Sequence, residues 1–203
     1  MDVNEDRPTR PRRSQAERRA ATHQALLDAG RHLFAERGFA GAGQEDIVER
    51  AGVTRGALSH HFGTKEGLFR AVVESVEQDL TERIAVAAME GDNPVEHLRF
   101  GCLAFLDAAL DPAVRRIVLL DAPAVLGWQA WRDMDTVYGL GLVTAALEHC
   151  MDAGLVATRP VQPLAHLLLA ALNEAAMLVA NAEDPVETRA AVGREVEHLL
   201  TRL

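Results

Sequence analysis

The chain has 203 residues, of which 48% are apolar and 25% charged, and this composition fits a globular protein of one or two domains with a real core. Only one Tyr, two Trp and six Phe are present, so the core is left to Leu, Ala and Val, which favours helices. No stretch alternates apolar and polar residues over the length of a strand. The composition therefore predicts an all-α fold and excludes a sheet-based one.

The net charge of −9 is divided unevenly along the chain. Residues 1–70 hold 12 basic and 10 acidic side chains, whereas residues 71–203 hold 9 and 20. The segment 7–19 alone has six Arg against one Glu. Such a basic arm attracts phosphates without regard to sequence, and an acidic body is repelled by them. Any binding to DNA should therefore be confined to the N-terminal part.

The start of the chain is charged and lacks the apolar core of a signal peptide. The most apolar run, 163–180, is interrupted by His166, Asn173 and Glu174, which predicts a buried helix rather than a membrane span. The two cysteines form no CxxC pair and are interpreted as small buried hydrophobes rather than metal ligands. We expect a cytoplasmic protein that contacts no membrane and holds no metal or cofactor.

Residues 1–13 contain two Pro, four Arg and few apolar side chains, which predicts a basic arm that is disordered in the absence of DNA. Ser14 and Glu17 have the spacing of a capping box, so the first helix should begin there. Its apolar face runs from Leu26 to Phe34, and Gly38 should end it.

Residues 38–65 are the most informative stretch of the chain, because they predict two short helices joined by a glycine turn. Apolar residues recur at helical spacing up to Ala51, and Gly52 then ends the first helix in the left-handed conformation that glycine adopts cheaply. Thr54 is placed to cap the next helix, and Leu58 returns to the same core. This order is the plan of a helix-turn-helix, whose second helix enters the DNA major groove.

The same stretch resembles the DNA-binding head of the tetracycline-repressor (TetR) family of bacterial regulators. The resemblance rests on Gly38-Phe39, Asp46-Ile47, Ala51-Gly52-Val53-Thr54, Arg55-Gly56, Leu58, His61-Phe62 and Lys65. So many matches in register over about thirty residues are more specific than a single short motif.

Two positions depart from the family pattern. Gly43 stands where Thr is usual, which removes a side-chain cap, and Ser59 stands where Tyr is usual, which shortens the reach. Backbone N–H groups at a helix N-terminus still attract phosphate. Together with the basic arm, the resemblance implies DNA contacts from Arg12, Arg13, Gly43, Gln44, Thr54, Arg55, Gly56, Ser59, His60, His61 and Lys65.

A long fourth helix, capped by Thr64, should run to about residue 89 and link head and body mechanically. Three later helices begin with an Asx-Pro pair, which is a good helix start signal. Helices are predicted at 94–109, 112–120, 124–153, 162–181 and 185–202, which gives about nine in all. The domains are then the arm 1–13, a helix-turn-helix domain 14–63 and a body 64–203.

The body contains one candidate ligand-binding stripe. Trp128, Trp131, Met134 and Tyr138 follow at spacings of 3, 3 and 4, so they share one helical face, and Phe105 lies in an apolar helix nearby along the chain. Taken alone, this stripe is better explained by a packed core. In the family that the head resembles, the body encloses a cavity for a small effector, which implies an apolar effector site here.

The last two predicted helices carry the case for self-association. Small and apolar residues form one stripe on each helix, namely Leu164, Leu168, Ala171, Ala175 and Leu178 on the first and Val192, Val196 and Leu199 on the second. The resemblance implies that these faces form a homodimer interface, and the alternative is an intrachain bundle end. Two-fold symmetry would supply the paired half-sites of a palindromic operator in double-stranded DNA.

These observations predict a ligand-responsive transcription regulator, most often a repressor that leaves its operator when an effector binds. One alternative is a constitutive dimeric DNA-binding protein whose body only dimerises. A second is a helical metal-dependent enzyme that uses some of the eight His, although no nucleophile, phosphate-loop or metal-ligand spacing is present in the sequence. A solid body would favour the first alternative, and a lined cavity would oppose it.

Overall fold

The computed structural model describes residues 14–203, and within them the chain is helical with no strand. The helices are α1 Gln15–Gly41, α2 Gln44–Ala51, α3 Arg55–Phe62, α4 Lys65–Ala88, α5 Pro94–Ala108, α6 Ala122–Leu126, α7 Trp128–Asp135, α8 Gly141–Asp152, α9 Val161–Asn181 and α10 Pro185–Leu200. Two π-helical segments, Val114–Asp121 and Thr136–Leu140, run directly into α6 and α8. Counted as continuous rods, these segments make the nine predicted helices.

The predicted capping residues start the helices as expected. Ser14 and Glu17 form the capping box of α1, with both hydrogen bonds present. The hydroxyls of Thr54 and Thr64 accept from the third helical N–H of α3 and α4. Asn93 and Asp184 accept in the same way ahead of α5 and α10. The helix starts could therefore be predicted because each depends on residues adjacent in sequence.

One predicted boundary is wrong. The break expected between residues 120 and 124 does not occur, because the helix continues through Pro123 and ends at Gly127, whose φ is 86°. The turns before Pro123 are π-helical, and such wide turns relieve the clash between a proline ring and the carbonyl four residues earlier. The helix of residues 128–152 consequently begins at Trp128, four residues later than predicted.

The head is a small core shared by α1, α2, α3 and the start of α4. Leu26, Phe34, Ile47, Leu58 and Phe69 are all fully buried in it. The chain leaves helical geometry at Gly38, with φ 70° and ψ 171°, as predicted for the end of the first helix. Burial of these five side chains holds α2 and α3 at a fixed angle to one another, which a helix-turn-helix requires.

The body is a bundle in which α5 is central and packs against α4, α8, α9 and α10. Helix α4 has 24 residues and is about 36 Å long at 1.5 Å per residue. Its first turns pack in the head and its later turns in the bundle. A single rigid rod therefore belongs to both cores.

Among residues 14–203, α9 alone is long and apolar enough to cross a membrane, with a mean hydropathy of 1.5 over an 18-residue window. Half of that window is buried within the bundle. The core helix of a globular protein has the same two properties, so the apolar character of α9 is explained in part by its burial.

Candidate DNA-binding face and effector cavity

Helix α3 presents its polar residues to solvent. Thr54, Arg55, Gly56, Ser59 and His60 are all exposed, whereas Leu58 is buried on the opposite side. The preceding Gly52 is left-handed, with φ 66° and ψ 31°, and its N–H closes the end of α2. The geometry is that of a helix-turn-helix with a free recognition face, as the spacing of these residues predicted.

Arg55 forms an ion pair with Glu45 of α2, at 3.0 Å between Nη1 and Oε1. Both side chains are largely exposed, so this pair contributes little to stability and can exchange for another anion. An arginine held loosely by a carboxylate at the surface is free to turn toward a guanine edge or a phosphate. A contact between Arg55 and DNA would therefore have to displace Glu45.

Gly43, Gln44, Arg12 and Arg13 were also predicted to contact DNA, and the structure describes only the first two. Gly43 is exposed at the start of α2 and supplies no side-chain cap, which leaves backbone N–H groups at that helix end for a phosphate. Gln44 is half-buried beside it. Arg12 and Arg13 lie outside the described residues. Their contacts with DNA, like those of the whole face, stay predictions.

Lys65 has a structural role that the sequence did not reveal. Its Nζ donates to the carbonyl oxygens of Phe39 at 2.9 Å and Ala42 at 3.1 Å, and it lies 4.2 Å from the centre of the Phe39 ring. These contacts tie the end of α1 to the start of α4. Two of its three N–H donors are thereby used inside the head, which leaves one for the predicted phosphate contact.

His61 is half-buried at the other end of α3. Its ring lies beside His23, His60 and Phe62, with centroids 5.4 to 6.2 Å away. Burial, followed by the charges of His60, His23 and Arg19, lowers the pKa of His61. These surroundings disfavour the charged form of the His61 imidazole.

The bundle contains a partly open cavity of about 130 Å³ between α4, α5, α7, α8, α9 and the two π-helical segments. Most of its wall is apolar, and the aromatic rings of Phe105, Trp131 and Tyr138 contribute to it. Three of the five predicted effector-site residues therefore meet at one cavity. The body is not a solid core.

The other two predicted residues do not line this cavity. Trp128 is 63% exposed, because it is the first residue of α7 and lies at the surface end of that helix. Its ring contacts the ring of Trp131, and the guanidinium of Arg132 lies over it. Met134 is buried outside the cavity. The π-helical turn at Thr136–Leu140 also changes the helical phase, so a spacing of four residues no longer joins Met134 and Tyr138 on one face.

Three polar side chains in the cavity wall are Glu77 of α4, Asp135 of α7 and Asn173 of α9. Asn173 donates from Nδ2 to Asp135 Oδ2 at 2.8 Å, and Arg132 Nη1 lies 3.9 Å from the same oxygen. The Glu77 carboxylate accepts no hydrogen bond from residues 14–203, although only 8% of the residue is exposed. Burial, followed by the charge of Asp135, raises the pKa of Glu77 to about 7.

His97 also lines the cavity, whereas His149 and Arg132 do not. Glu77 and Asp135 were not singled out from the sequence. A signal for Glu77 was present, because it stands on the buried face of α4 with Val73, Val76 and Leu80. A carboxylate in an apolar helical stripe is costly to bury unless it is paired or has a function, so this position was the available signal.

Head and body meet at the π-helical segment Val114–Asp121. Asp121 accepts a hydrogen bond from the backbone N–H of Phe39 at 2.6 Å and pairs with Arg116 at 3.3 Å. The guanidinium of Arg116 lies against Gly38, where a β-carbon would collide with it. Val118 and Leu119 of the same segment line the cavity. One short element therefore touches the ligand-sized space on one side and the head on the other.

The predicted dimer stripe runs along the edge of the buried face rather than over the free one. Leu168, Ala175 and Val196 are buried within the protomer, and Leu164 and Val192 are half-buried. Only Ala171, Leu178 and Leu199 are exposed, the two leucines by 51% and 56%. The reason is that α9 also packs inward against its own bundle, so two adjoining apolar faces merged in the sequence pattern.

The free face of α9 lies next to that stripe. Leu167, which is 71% exposed, together with Ala170, Ala171 and Leu178, forms an apolar surface interrupted by Glu174. Exposed leucines flanked by small side chains let another helix approach closely. This surface is the apolar part of α9 that the protomer leaves exposed, whereas Ala175 is buried within the protomer.

No group of three or more His, Cys, Asp or Glu side chains within residues 14–203 is arranged to hold a metal ion. Both cysteines are buried and free. Burial raises the pKa of the Cys102 thiol to about 12, which leaves it unreactive.

A helix-turn-helix head on a helical body with an internal cavity defines a class of ligand-binding DNA-binding regulators, and comparison with known proteins narrows it. Residues 26–72 match the family model described as bacterial regulatory proteins, tetR family. Residues 95–203 match a tetracyclin repressor-like C-terminal domain. The chain belongs to the tetR family of bacterial regulatory proteins.

Individual relatives agree with this placement. A TetR-family transcriptional regulator from Pectobacterium atrosepticum, known as a crystal structure, is 37% identical, with a TM-score of 0.83 over 93% of this chain and 96% of that one. The regulator CymR of Pseudomonas putida is 36% identical over 57% of this chain and 59% of its own length. TtgR of Pseudomonas putida is 34% identical over 47% of each chain. The chain thus covers only about half the length of these two curated relatives.

Proposed function

We propose that this protein is a homodimeric repressor of transcription that binds a palindromic operator in double-stranded DNA and is released by a small effector with an apolar body. It would act in the cytoplasm. The observation that carries the proposal is a recognition helix with a free polar face, joined by one rigid helix to a body that contains an apolar cavity. A constitutive DNA-binding protein needs no such cavity.

The coupling would run through two elements. Helix α4 packs in the head at Phe69 and lines the cavity at Leu80 and Ile84, so a ligand that shifts its later turns tilts its first turns. The π-helical segment Val114–Asp121 touches both the cavity and Phe39. An effector that fits one arrangement of these elements better than the other shifts the population toward it, and a few kcal/mol suffice.

The dimer is supported by the free face of α9, where Leu167 and Leu178 are exposed beside small residues. A head with one eight-residue recognition helix reads only a short half-site. Two heads related by two-fold symmetry double the contact area and fix the distance between half-sites. A change in the separation of the two heads would then abolish the match to successive major grooves.

Selection of bound sequences from a random DNA pool tests this proposal. We expect enrichment of a palindromic site whose half-sites are about one helical turn apart. No enrichment would refute DNA binding, and a single non-repeated half-site would refute the dimer. With the site in hand, a ligand that raises the melting temperature of the protein should also release the DNA. Stabilising ligands that never release DNA would favour a constitutive binder.

A further inference from the structure

Apart from His97, whose Nε2 lies 2.9 Å from the carbonyl oxygen of Gly91, the ionisable side chains that line the cavity are acidic. Glu77 and Asp135 supply two carboxylates from opposite helices, and no Lys or Arg is among the described residues that line the cavity. The Oδ2 atom of Asp135 accepts a hydrogen bond from Asn173 and lies near the guanidinium of Arg132, which offsets part of the negative charge. The Oδ1 atom of Asp135 accepts no hydrogen bond from residues 14–203. Glu77 has no compensating cation at all within the same residues. Such a wall repels an anion and is incomplete without a donor.

Two polar groups on residues that line the cavity lack hydrogen-bond partners in the described part of the chain. One is the carboxylate of Glu77, which is more than nine-tenths buried. The other is the indole Nε1 of Trp131, a residue that is only 3% exposed. Buried polar groups are nearly always hydrogen-bonded in folded proteins, so the Glu77 carboxylate marks a position that a donor on a ligand completes. The indole N–H of Trp131 is itself a donor, so an acceptor such as water completes it rather than an ammonium group.

The aromatic residues of the cavity wall also favour a ligand with a positive charge. Phe105, Trp131 and Tyr138 line the same cavity as the two carboxylates. The face of an aromatic ring attracts a cation, and rings combined with carboxylates are a common means of recognising an ammonium group. A neutral hydroxyl would use the carboxylates but gain nothing from the ring faces.

We infer that the effector is a small protonated amine whose ammonium group lies between Glu77 and Asp135 and whose apolar body, about one six-membered ring in size, fills the rest of the cavity. The size follows from the volume of about 130 Å³, because an apolar cavity of roughly 150 Å³ is known to take up benzene. The inference rests on the proposed function, since it names the chemical class that the effector cavity accepts.

Four compounds of nearly equal shape test it on the full chain: benzylamine, benzyl alcohol, toluene and benzoate. Binding is measured by calorimetry and by thermal shift in the absence of DNA, so the result does not depend on the operator. We expect benzylamine to bind on the order of tenfold tighter than benzyl alcohol or toluene, because its ammonium gains a charge-assisted hydrogen bond. Benzoate should not bind.

Isosteric variants locate the selectivity. Glu77→Gln should reduce benzylamine affinity on the order of tenfold while leaving toluene affinity unchanged, since the Gln keeps the shape and loses the charge. Asp135→Asn should act in the same direction. Glu82→Gln on the exposed side of α4 and Asp133→Asn on the exposed side of α7 are the matched controls and should bind like the wild type.

The pH dependence gives an independent check. The titratable groups facing Glu77 in the cavity are Asp135, His97, Cys102 and Tyr138. Because Glu77 must lose its proton to pair with an ammonium, benzylamine should bind more tightly at pH 8 than at pH 6, and Glu77→Gln should remove most of that difference. A difference that persists in Glu77→Gln and disappears in His97→Gln would overturn the assignment to Glu77.

The outcomes separate this inference from the function on which it rests. If benzyl alcohol or toluene binds as tightly as benzylamine, the amine assignment is overturned while the effector cavity stands. If benzoate binds best, the same conclusion holds. If none of the four compounds binds or stabilises the protein, both the amine assignment and the effector cavity fail.

Discussion

The head and the body of this protein hold their polar groups in opposite ways. In the head, Thr54, Arg55 and Ser59 lie on an exposed helical face above an entirely apolar core. In the body, Glu77, Asp135 and Asn173 are turned inward around a cavity. The first arrangement suits a partner that is large and itself charged, and the second suits one small enough to be enclosed.

The difference also determines how strongly each region responds to a single charge. An exposed ion pair such as Arg55–Glu45 is screened by water and salt, so losing it changes stability little. The Glu77 carboxylate is buried, so water and salt do not screen its charge, and its ionisation is coupled directly to folding. The head is therefore tuned by contacts made with DNA, whereas the body is tuned by what occupies the cavity.

The dimer surface provides the largest test, because it asks whether the body contributes to DNA binding at all. Leu167→Glu places a charge on the free face of α9 and should give a monomer in light scattering. Operator affinity should fall on the order of a hundredfold or more, since the two heads no longer bind as one unit. Val86→Glu, which alters an equally exposed valine on α4, is the control. A dimeric Leu167→Glu protein would rule out this face.

Glu77→Gln tests the coupling of the buried charge to stability. The pKa of Glu77 is raised to about 7 in the folded protein, so the stability due to its neutral form is fully present below its unfolded pKa of 4.5. That stability is lost as the pH rises through about 7. Relative to wild type, Glu77→Gln should therefore gain about 2 kcal/mol more at pH 8 than at pH 5. Urea denaturation at the two pH values measures this, and an equal gain at both would contradict it.

Arg55→Ala tests the exposed face. The change should cost on the order of 1–3 kcal/mol in operator affinity and relax the preference at one base pair, if Arg55 reads a base edge. Glu45→Gln should raise operator affinity, because it removes the carboxylate that competes for Arg55. Arg202→Ala, at the far end of the chain, controls for net charge. Titrations against operator DNA that show no loss for Arg55→Ala would remove this residue from the interface.

The head and the body also differ in how much of each could be predicted from the sequence. The head could be predicted almost residue by residue, because caps, glycine turn and recognition face are all set by neighbours within about thirty residues. The six helices predicted for the body could also be placed from local signals. The end of the helix predicted at 112–120 could not, because the chain continues through Pro123 by way of π-helical turns that no local sequence signal marks.

The cavity was only partly predictable, because its wall brings together residues far apart in the chain. Phe105, Trp131 and Tyr138 could be picked out as large side chains, but Trp128 shares their spacing and lies at the surface. Periodicity gives the face of one helix and not what that face meets. The same limit applies to α9, where the periodicity could not separate Ala175, packed inward, from Leu178, turned outward.

Asp121 offers the finest test, because it asks whether head and body communicate through the π-helical segment. Its carboxylate accepts from Phe39 N–H on the head side, while Val118 and Leu119 of the same segment line the cavity. Asp121→Ala removes that contact without altering the recognition face or the wall. An effector should then bind the variant as tightly as wild type but weaken its DNA binding less, by about 0.5–2 kcal/mol of coupling free energy. Asp152→Ala, at the end of α8, is the control. Measuring operator affinity with and without effector gives the coupling directly, and an unchanged ratio in Asp121→Ala would leave α4 as the element that transmits the signal.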